Sequence, residues 1–209
     1  MSNFLPIKDM DNVGKKAIRY LKSKGYKVSD KNIIYFGGLN TDLETANQNL
    51  INYWNDVRTV VTADGDVLVS CSATIDAGWF YRNNPMNPNG CAQIAYGQYL
   101  QAWEFGMHHQ QQALIQCGII NVYRDFNKDG SRNGDKLYSG DDFSINQHTT
   151  SNYANADYIP STIDRWSAGC CVGQYSITHY NTFLPVCRTF GVTKFDTTIV
   201  DGKDFLSFK

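Results

Sequence analysis

Several features that would commit a chain to nucleic acid, membrane or a zinc ribbon are missing here. Nineteen Lys and Arg balance twenty Asp and Glu for a formal net charge of −1. That removes the basic surface a phosphate backbone requires, so no nucleic-acid partner is expected. No apolar run approaches the roughly twenty residues needed to cross a bilayer, so no membrane partner is expected either. The six cysteines fall at 71, 91, 117, 170, 171 and 187 with no C-x-x-C pair, which excludes paired zinc-ribbon ligands. Internal repeats, low-complexity tracts and a Pro/Ser linker are absent, which points to one compact domain. The segment Met1 to Asp9 lacks the basic and apolar stretches of a signal peptide. The chain is therefore expected to be made in the cytoplasm and not exported by the standard route.

What is present favours strands. Thirteen Tyr, eleven Phe, four Trp and seventeen Gly among 209 residues suit a β-rich fold with tight turns, long enough to bury a sizeable core. The expected class is mainly β (α+β) with a short helical lead-in. Residues 11–27 carry Val13, Ala17, Ile18 and Leu21 at helical spacing and reach a stop at Gly25. Ile33 to Phe36 reads as a buried strand. Thr41 to Trp54 reads as a helix, with Leu43, Ala46, Leu50 and Ile51 on one face. Val60, Val61, Val67 and Val69 flank Asp64-Gly65-Asp66, a hairpin signal. Residues 82–90 read as loop, and strands are expected at Tyr96–Trp103, Ile119–Tyr123 and Phe143–His148. The division expected is a helical lead-in over 1–55 packed on a core domain over 56–209.

Chemistry concentrates in two segments. In Ser144-Ile145-Asn146-Gln147-His148, strand alternation puts Ser144, Asn146 and His148 on one face. Eighteen residues after His148 comes Trp166-Ser167-Ala168-Gly169-Cys170. A thiol attacks as thiolate and needs a base, and imidazole is the usual one at neutral pH. Gly before Cys admits close backbone approach and leaves amide N–H groups for a developing oxyanion. The alternative is that Cys170 and His148 are packing residues, since free Cys is among the most buried residue types.

These two segments resemble the L,D-transpeptidase (YkuD-like) catalytic domain. They are closer still to a phage and bacterial branch with a Gly-Ile-Asn-Ile-His-like strand and a Trp-Ser-Ala-Gly-Cys-Gln-Val-like turn. Gly97-Gln98-Tyr99, Ala102-Trp103, Gly106-Met107-His108 and Arg124-Asp125-Phe126-Asn127-Lys128-Asp129 share that likeness, which spans roughly residues 57–187. The resemblance implies a YkuD-like β-barrel or sandwich and a cysteine peptidase or transpeptidase acting on peptidoglycan stem peptides through an acyl-enzyme. It implies Cys170 as nucleophile and His148 as base, with an oxyanion hole from the Gly169 and Cys170 amides. Thr149 stands where the imidazole is oriented, and Ser167 matches the family's Ser/Thr. Trp166, Asn146, His108 and Arg124 are expected along the substrate, Arg124 either on a substrate carboxylate or paired with Asp125. Ala168 departs from the His usual in the main family. Cys171 departs from the branch's Gln, and alternation allows only one of the two adjacent cysteines to line the site. The other five cysteines are expected to be structural. Bacterial peptidoglycan is the implied partner, and a phage-released or virion-associated enzyme the implied setting.

Two metal readings stand beside this. Asp125, Asn127, Asp129 and Asp135 run through a loop like a calcium loop, with Gly130 at the bend but Lys136 where a bidentate Glu belongs. Calcium (Ca2+) there competes with a plain Asx-rich turn. His148, Asp157 and His179 form a possible zinc-peptidase set, although without a His-x-His pair. A catalytically idle phage structural or wall-binding module is the non-enzymatic alternative.

Overall fold

The computed structural model describes residues 11–155 and 158–209. The chain is mainly β. It begins with helix α1 (Asp11–Ser23), then strands β1 (Lys31–Gly37), β2 (Asp56–Thr62) and β3 (Val67–Thr74), and the short helix α2 (Trp79–Asn83). There follow β4 (Cys91–Ile94), β5 (Gly97–His108), β6 (Gln111–Gln116), β7 (Ile120–Asp125), β8 (Lys136–Gly140), β9 (Gln147–Thr149) and β10 (Cys171–Gly173). A helical stretch then runs through α3 (Ser176–Thr178), a π-helical turn (His179–Phe183) and α4 (Leu184–Arg188), before β11 (Lys194–Asp201) and α5 (Gly202–Ser207). Eight strands close a barrel in the order β1-β11-β5-β6-β9-β10-β3-β2, and β4, β7 and β8 form a separate small sheet. The barrel's β1–β11 and β9–β10 pairs are parallel.

Strands β1 and β2 are buried on both faces, which is why they read as continuous apolar runs. Ile33, Tyr35 and Val60 belong to one hydrophobic cluster with Trp103, Leu114 and Phe195, and that cluster continues into Ala92, Ile94, Ile120 and Val122 of the small sheet. Ile34, Phe36, Val57 and Val61 point the other way, onto α1 and α5 through Ala17, Leu21 and Phe205. Helix α1 ends as its sequence implies. Gly25 adopts φ +70°, the Tyr26 N–H reaches the Leu21 carbonyl at 3.0 Å, and the Gly25 N–H reaches that of Lys22 at 3.0 Å.

Three expectations need correction. Residues 41–54 are not a helix. Asp42 Oδ1 accepts the Glu44 and Thr45 amides, Asn47 Oδ1 accepts the Asn49 amide, and Leu43, Asn49 and Asn52 have positive φ. Short polar side chains have captured the backbone that a helix would need. The 55/56 boundary also fails to mark off a helical lead-in, because β1 lies before it and is a barrel strand between β11 and β2. Finally, the strand expected over Phe143–His148 shrinks to Gln147–Thr149, since Ser144 sits at φ +56° and breaks the alternation.

Candidate functional site

β9 and β10 are three residues each and run parallel, with Cys171 opposite Gln147 and Val172 opposite His148. Gln147 donates to Thr197 Oγ1 at 2.9 Å and accepts from the Tyr35 hydroxyl at 3.2 Å, and Cys171 joins the core cluster, so these two side chains face the barrel interior. Alternation sends Asn146, His148 and Cys170 to the opposite face. The Cys171 N–H continues the ladder onto the Asn146 carbonyl at 3.0 Å.

On that face the polar contacts are specific. The Asn146 N–H donates to Cys170 Sγ at 3.4 Å, and the thiol points to the Ser144 carbonyl at 3.4 Å. Asn146 Oδ1 accepts the Gln116 amide at 2.9 Å, which orients its carboxamide so that Nδ2 donates to His108 Nδ1 at 3.0 Å. The His108 and His148 rings stack 4.0 Å apart at 20°. His148 Nδ1–H donates to the Thr149 carbonyl at 2.9 Å, a tautomer that leaves Nε2 with its lone pair. Thr149 is itself anchored, its hydroxyl on the Gly173 carbonyl and its N–H on Gln111 Oε1. Among the described residues the hydrogen-bond partners of the thiol are the Asn146 amide and the Ser144 carbonyl; His148 is a neighbour on the same face and not one of them.

Burial sets the protonation states. Cys170 is 7% exposed and His148 3%. Desolvation pushes the Cys170 thiol up to about 11, with the Asn146 N–H pulling the other way. Desolvation, followed by the adjacent His108, holds His148 well below the usual histidine range. His108 is lowered to about 4 by burial and by His109. The resting pair is thus a neutral thiol beside a neutral imidazole.

The turn before Cys170 is built differently from expectation. Gly169 has φ +128°, and a Cβ there would lie 2.5 Å from the Ala92 carbonyl oxygen, so glycine is required by close approach of β4. The Gly169 amide donates to Ser167 Oγ at 3.0 Å, and Ser167 Oγ donates to the Cys170 carbonyl at 2.9 Å. That engagement withdraws Gly169 from the expected pair of oxyanion donors and makes Ser167 the brace of the turn. Trp166 is half-buried just upstream, its N–H on the Ile163 carbonyl at 2.8 Å. Arg124 lies directly opposite Ala92 in the small sheet and covers the Phe143 ring at 5.4 Å. It lines a surface cavity of about 460 Å³ with Lys136, Tyr138 and Asp135. Asp125 is not its partner.

Instead, Asp125 forms a buried ion pair with Arg82. Asp125 Oδ2 also receives the Gly130 amide at 3.3 Å. Asn127 and Asp129 bond to each other, and Asp129 accepts the Ser131 amide at 2.7 Å, the pattern of an Asx-rich turn. A guanidinium therefore occupies the carboxylate expected to open a calcium loop. Asp135 sits at the far end of the loop, its carboxyl raised by burial and by Asp129. Among the described residues no group of three His, Cys, Asp or Glu is gathered as a metal site requires. For the zinc set, Asp157 lies outside the described residues. His179 has both ring nitrogens engaged, Nδ1 accepting from Arg58 at 3.0 Å and Nε2 donating to the Gln112 carbonyl at 2.9 Å.

Sequence reasoning missed Arg58 in the polar centre of the barrel, and singled out His179 only as a zinc ligand and not as the partner of Arg58. Arg58 is fully buried and donates to Tyr35, to His179 and to the His148 and Cys171 carbonyls. The available signal was a charged residue in phase with Val60 in an apolar strand. No helix of the described residues is long and apolar enough to cross a membrane. Comparison of the chain with family models, with curated proteins and with solved structures finds no match to any of them.

Proposed function

We propose that this protein is a peptidoglycan-acting cysteine peptidase or transpeptidase that cleaves or exchanges a stem-peptide bond through an acyl-enzyme on Cys170. The observation carrying this reading is the His148 imidazole, fixed by the Thr149 carbonyl with Nε2 unengaged among the described residues, on the same strand face as Cys170. Because both groups rest neutral, His148 Nε2 takes the thiol proton as sulfur attacks the carbonyl carbon. The same proton then goes to the leaving amine, and water or a second amine resolves the thioester. His108 stacks on the base and helps keep it neutral at physiological pH. Arg124, beside the 460 Å³ cavity, suits a substrate carboxylate. The peptidoglycan substrate and the phage-like setting rest on the resemblance of the Ser144–His148 and Trp166–Val172 segments.

The test is digestion of purified sacculi with wild type, Cys170→Ala and His148→Ala, with soluble products identified by mass spectrometry. New muropeptides from wild type alone are the expected result. Identical profiles from all three proteins would end the proposal in favour of an idle wall-binding module.

A further inference from the structure

We propose that Arg58 is the positioning residue of the Cys170–His148 site: from inside the barrel it grips the backbone of both strands that carry the thiol and the imidazole. The inference rests on the thiol–imidazole reading above and deepens it.

Four of the five guanidinium N–H donors are accounted for. Nε donates to the Tyr35 hydroxyl at 2.6 Å and Nη1 to His179 Nδ1 at 3.0 Å. Nη2 donates to the His148 carbonyl at 2.8 Å and to the Cys171 carbonyl at 3.1 Å. The Phe183 ring covers the guanidinium 4.4 Å away. None of these partners is a carboxylate, and Arg58 is 0% exposed. Among the described residues no carboxylate pairs with it, and a cation so buried is costly to keep, so its retention calls for a geometric reason.

The reactive wall supplies that reason. β9 and β10 share a three-residue ladder, and β9 meets β6 at the single pair Leu114–Gln147. So short a ladder leaves the relative placement of two strands weakly fixed, and the two N–H bonds of Nη2, splayed in the guanidinium plane, reach one carbonyl on each strand and hold it. The carbonyl of His148 itself is gripped, and so is that of the residue after Cys170. The space is fitted to the fork as well, since a Cβ at Gly173 would lie 2.8 Å from Nη1.

The test measures iodoacetamide labelling rates of each cysteine in the full-length protein at pH 8, mapped by peptide mass spectrometry. Cys117 is partly exposed and serves as the internal reference. Arg58→Met and Arg58→Lys should each slow Cys170 at least about tenfold relative to Cys117, the scale that misplacement of reacting groups produces. Lysine keeps the charge, but its ammonium stops one bond short of Nη2 and lacks the planar group that Tyr35 and His179 orient, so it should not rescue. Tyr35→Phe removes the Nε acceptor but spares the clamp, and should leave Cys170 within about twofold of wild type. Mere loosening of the fold would instead speed labelling of the buried Cys71 and Cys187. If Arg58→Met and Arg58→Lys fail to give a cooperative thermal transition, Gly173→Ala replaces them, with the same slowing of Cys170 expected.

A folded Arg58 or Gly173 variant labelling Cys170 at the wild-type rate overturns the inference. His148→Ala separates the two ideas. If it slows Cys170 while the Arg58 variants do not, only the positioning role is lost. If His148→Ala leaves Cys170 unchanged, the thiol–imidazole pairing falls and this inference with it.

Discussion

The two sides of the barrel are held together by different physics. On the α1 side, two seven-residue strands carry Ile34, Phe36, Val57 and Val61 against Ala17, Leu21 and Phe205, with the Phe36 and Phe205 rings 4.7 Å apart. On the β9–β10 side the strands are three residues long, and side chains do much of what the backbone ladder does elsewhere. Gln147, Thr149, Gln111 and Arg58 tie strand to strand. An apolar wall tolerates many sequences of similar volume, whereas a polar wall must satisfy each donor in a low-dielectric setting. The candidate chemistry stands on the second wall, where groups are fixed in direction as well as in position.

Predictions follow from breaking one wall at a time. Phe205→Ala, on the apolar wall, should cost about 3–5 kcal/mol of unfolding free energy in a urea titration while leaving relative Cys170 labelling unchanged. A simultaneous loss of Cys170 reactivity would mean that the two walls are not separable.

Acid should act on the other wall, because all four histidines lie on the β9 side of the barrel or at the β5–β6 turn beside it. His179 is lowered to about 3 by burial and then by Arg58, and His148 is lowered as well. Histidines kept neutral by the fold take up protons only on unfolding. Their contribution is fully present above about pH 6.5 and is lost as pH falls toward the folded values. Each such group gives about 1.4 kcal/mol per pH unit, so these two together should steepen the loss of stability by about 3 kcal/mol per unit below pH 6.5, with half-buried His108, lowered to about 4, adding a smaller share. Chemical denaturation at pH 7, 6 and 5 reads the slope, and a flat profile would refute the buried neutral histidines.

A smaller effect is expected at Gly169. Alanine there, at φ +128° and against the Ala92 carbonyl, should cost about 1–3 kcal/mol and displace Cys170, removing product formation from sacculi. The smallest effect is the one expected of calcium. With Arg82 already paired to Asp125, neither added calcium nor a chelator should move the melting temperature. A calcium-dependent rise would return the loop to the metal-binding class.

The mainly-β class, α1, the β2–β3 hairpin and the strand at 33–36 were legible because each depends on local periodicity and turn chemistry. Residues 41–54 misled because Leu43, Ala46, Leu50 and Ile51 keep helical spacing while Asp42 and Asn47 spend their side chains on the backbone. Leu50 ends 52% exposed. Cys170, His148, Asn146 and His108 were legible as a set and do meet on one face. Arg58 was not, since what it does depends on three strands and a helical turn that are distant in sequence. The engagement of the Gly169 amide by Ser167 was likewise invisible to spacing.

The most direct measurement is the pH dependence of Cys170 alkylation between pH 5 and 10. A thiol raised to about 11 beside a depressed imidazole should react slowly at neutral pH and rise steadily into the alkaline range. His148→Ala should lower the rate throughout. A fast plateau from pH 5 to 8 would mean a preformed thiolate–imidazolium pair and would contradict the neutral-pair account.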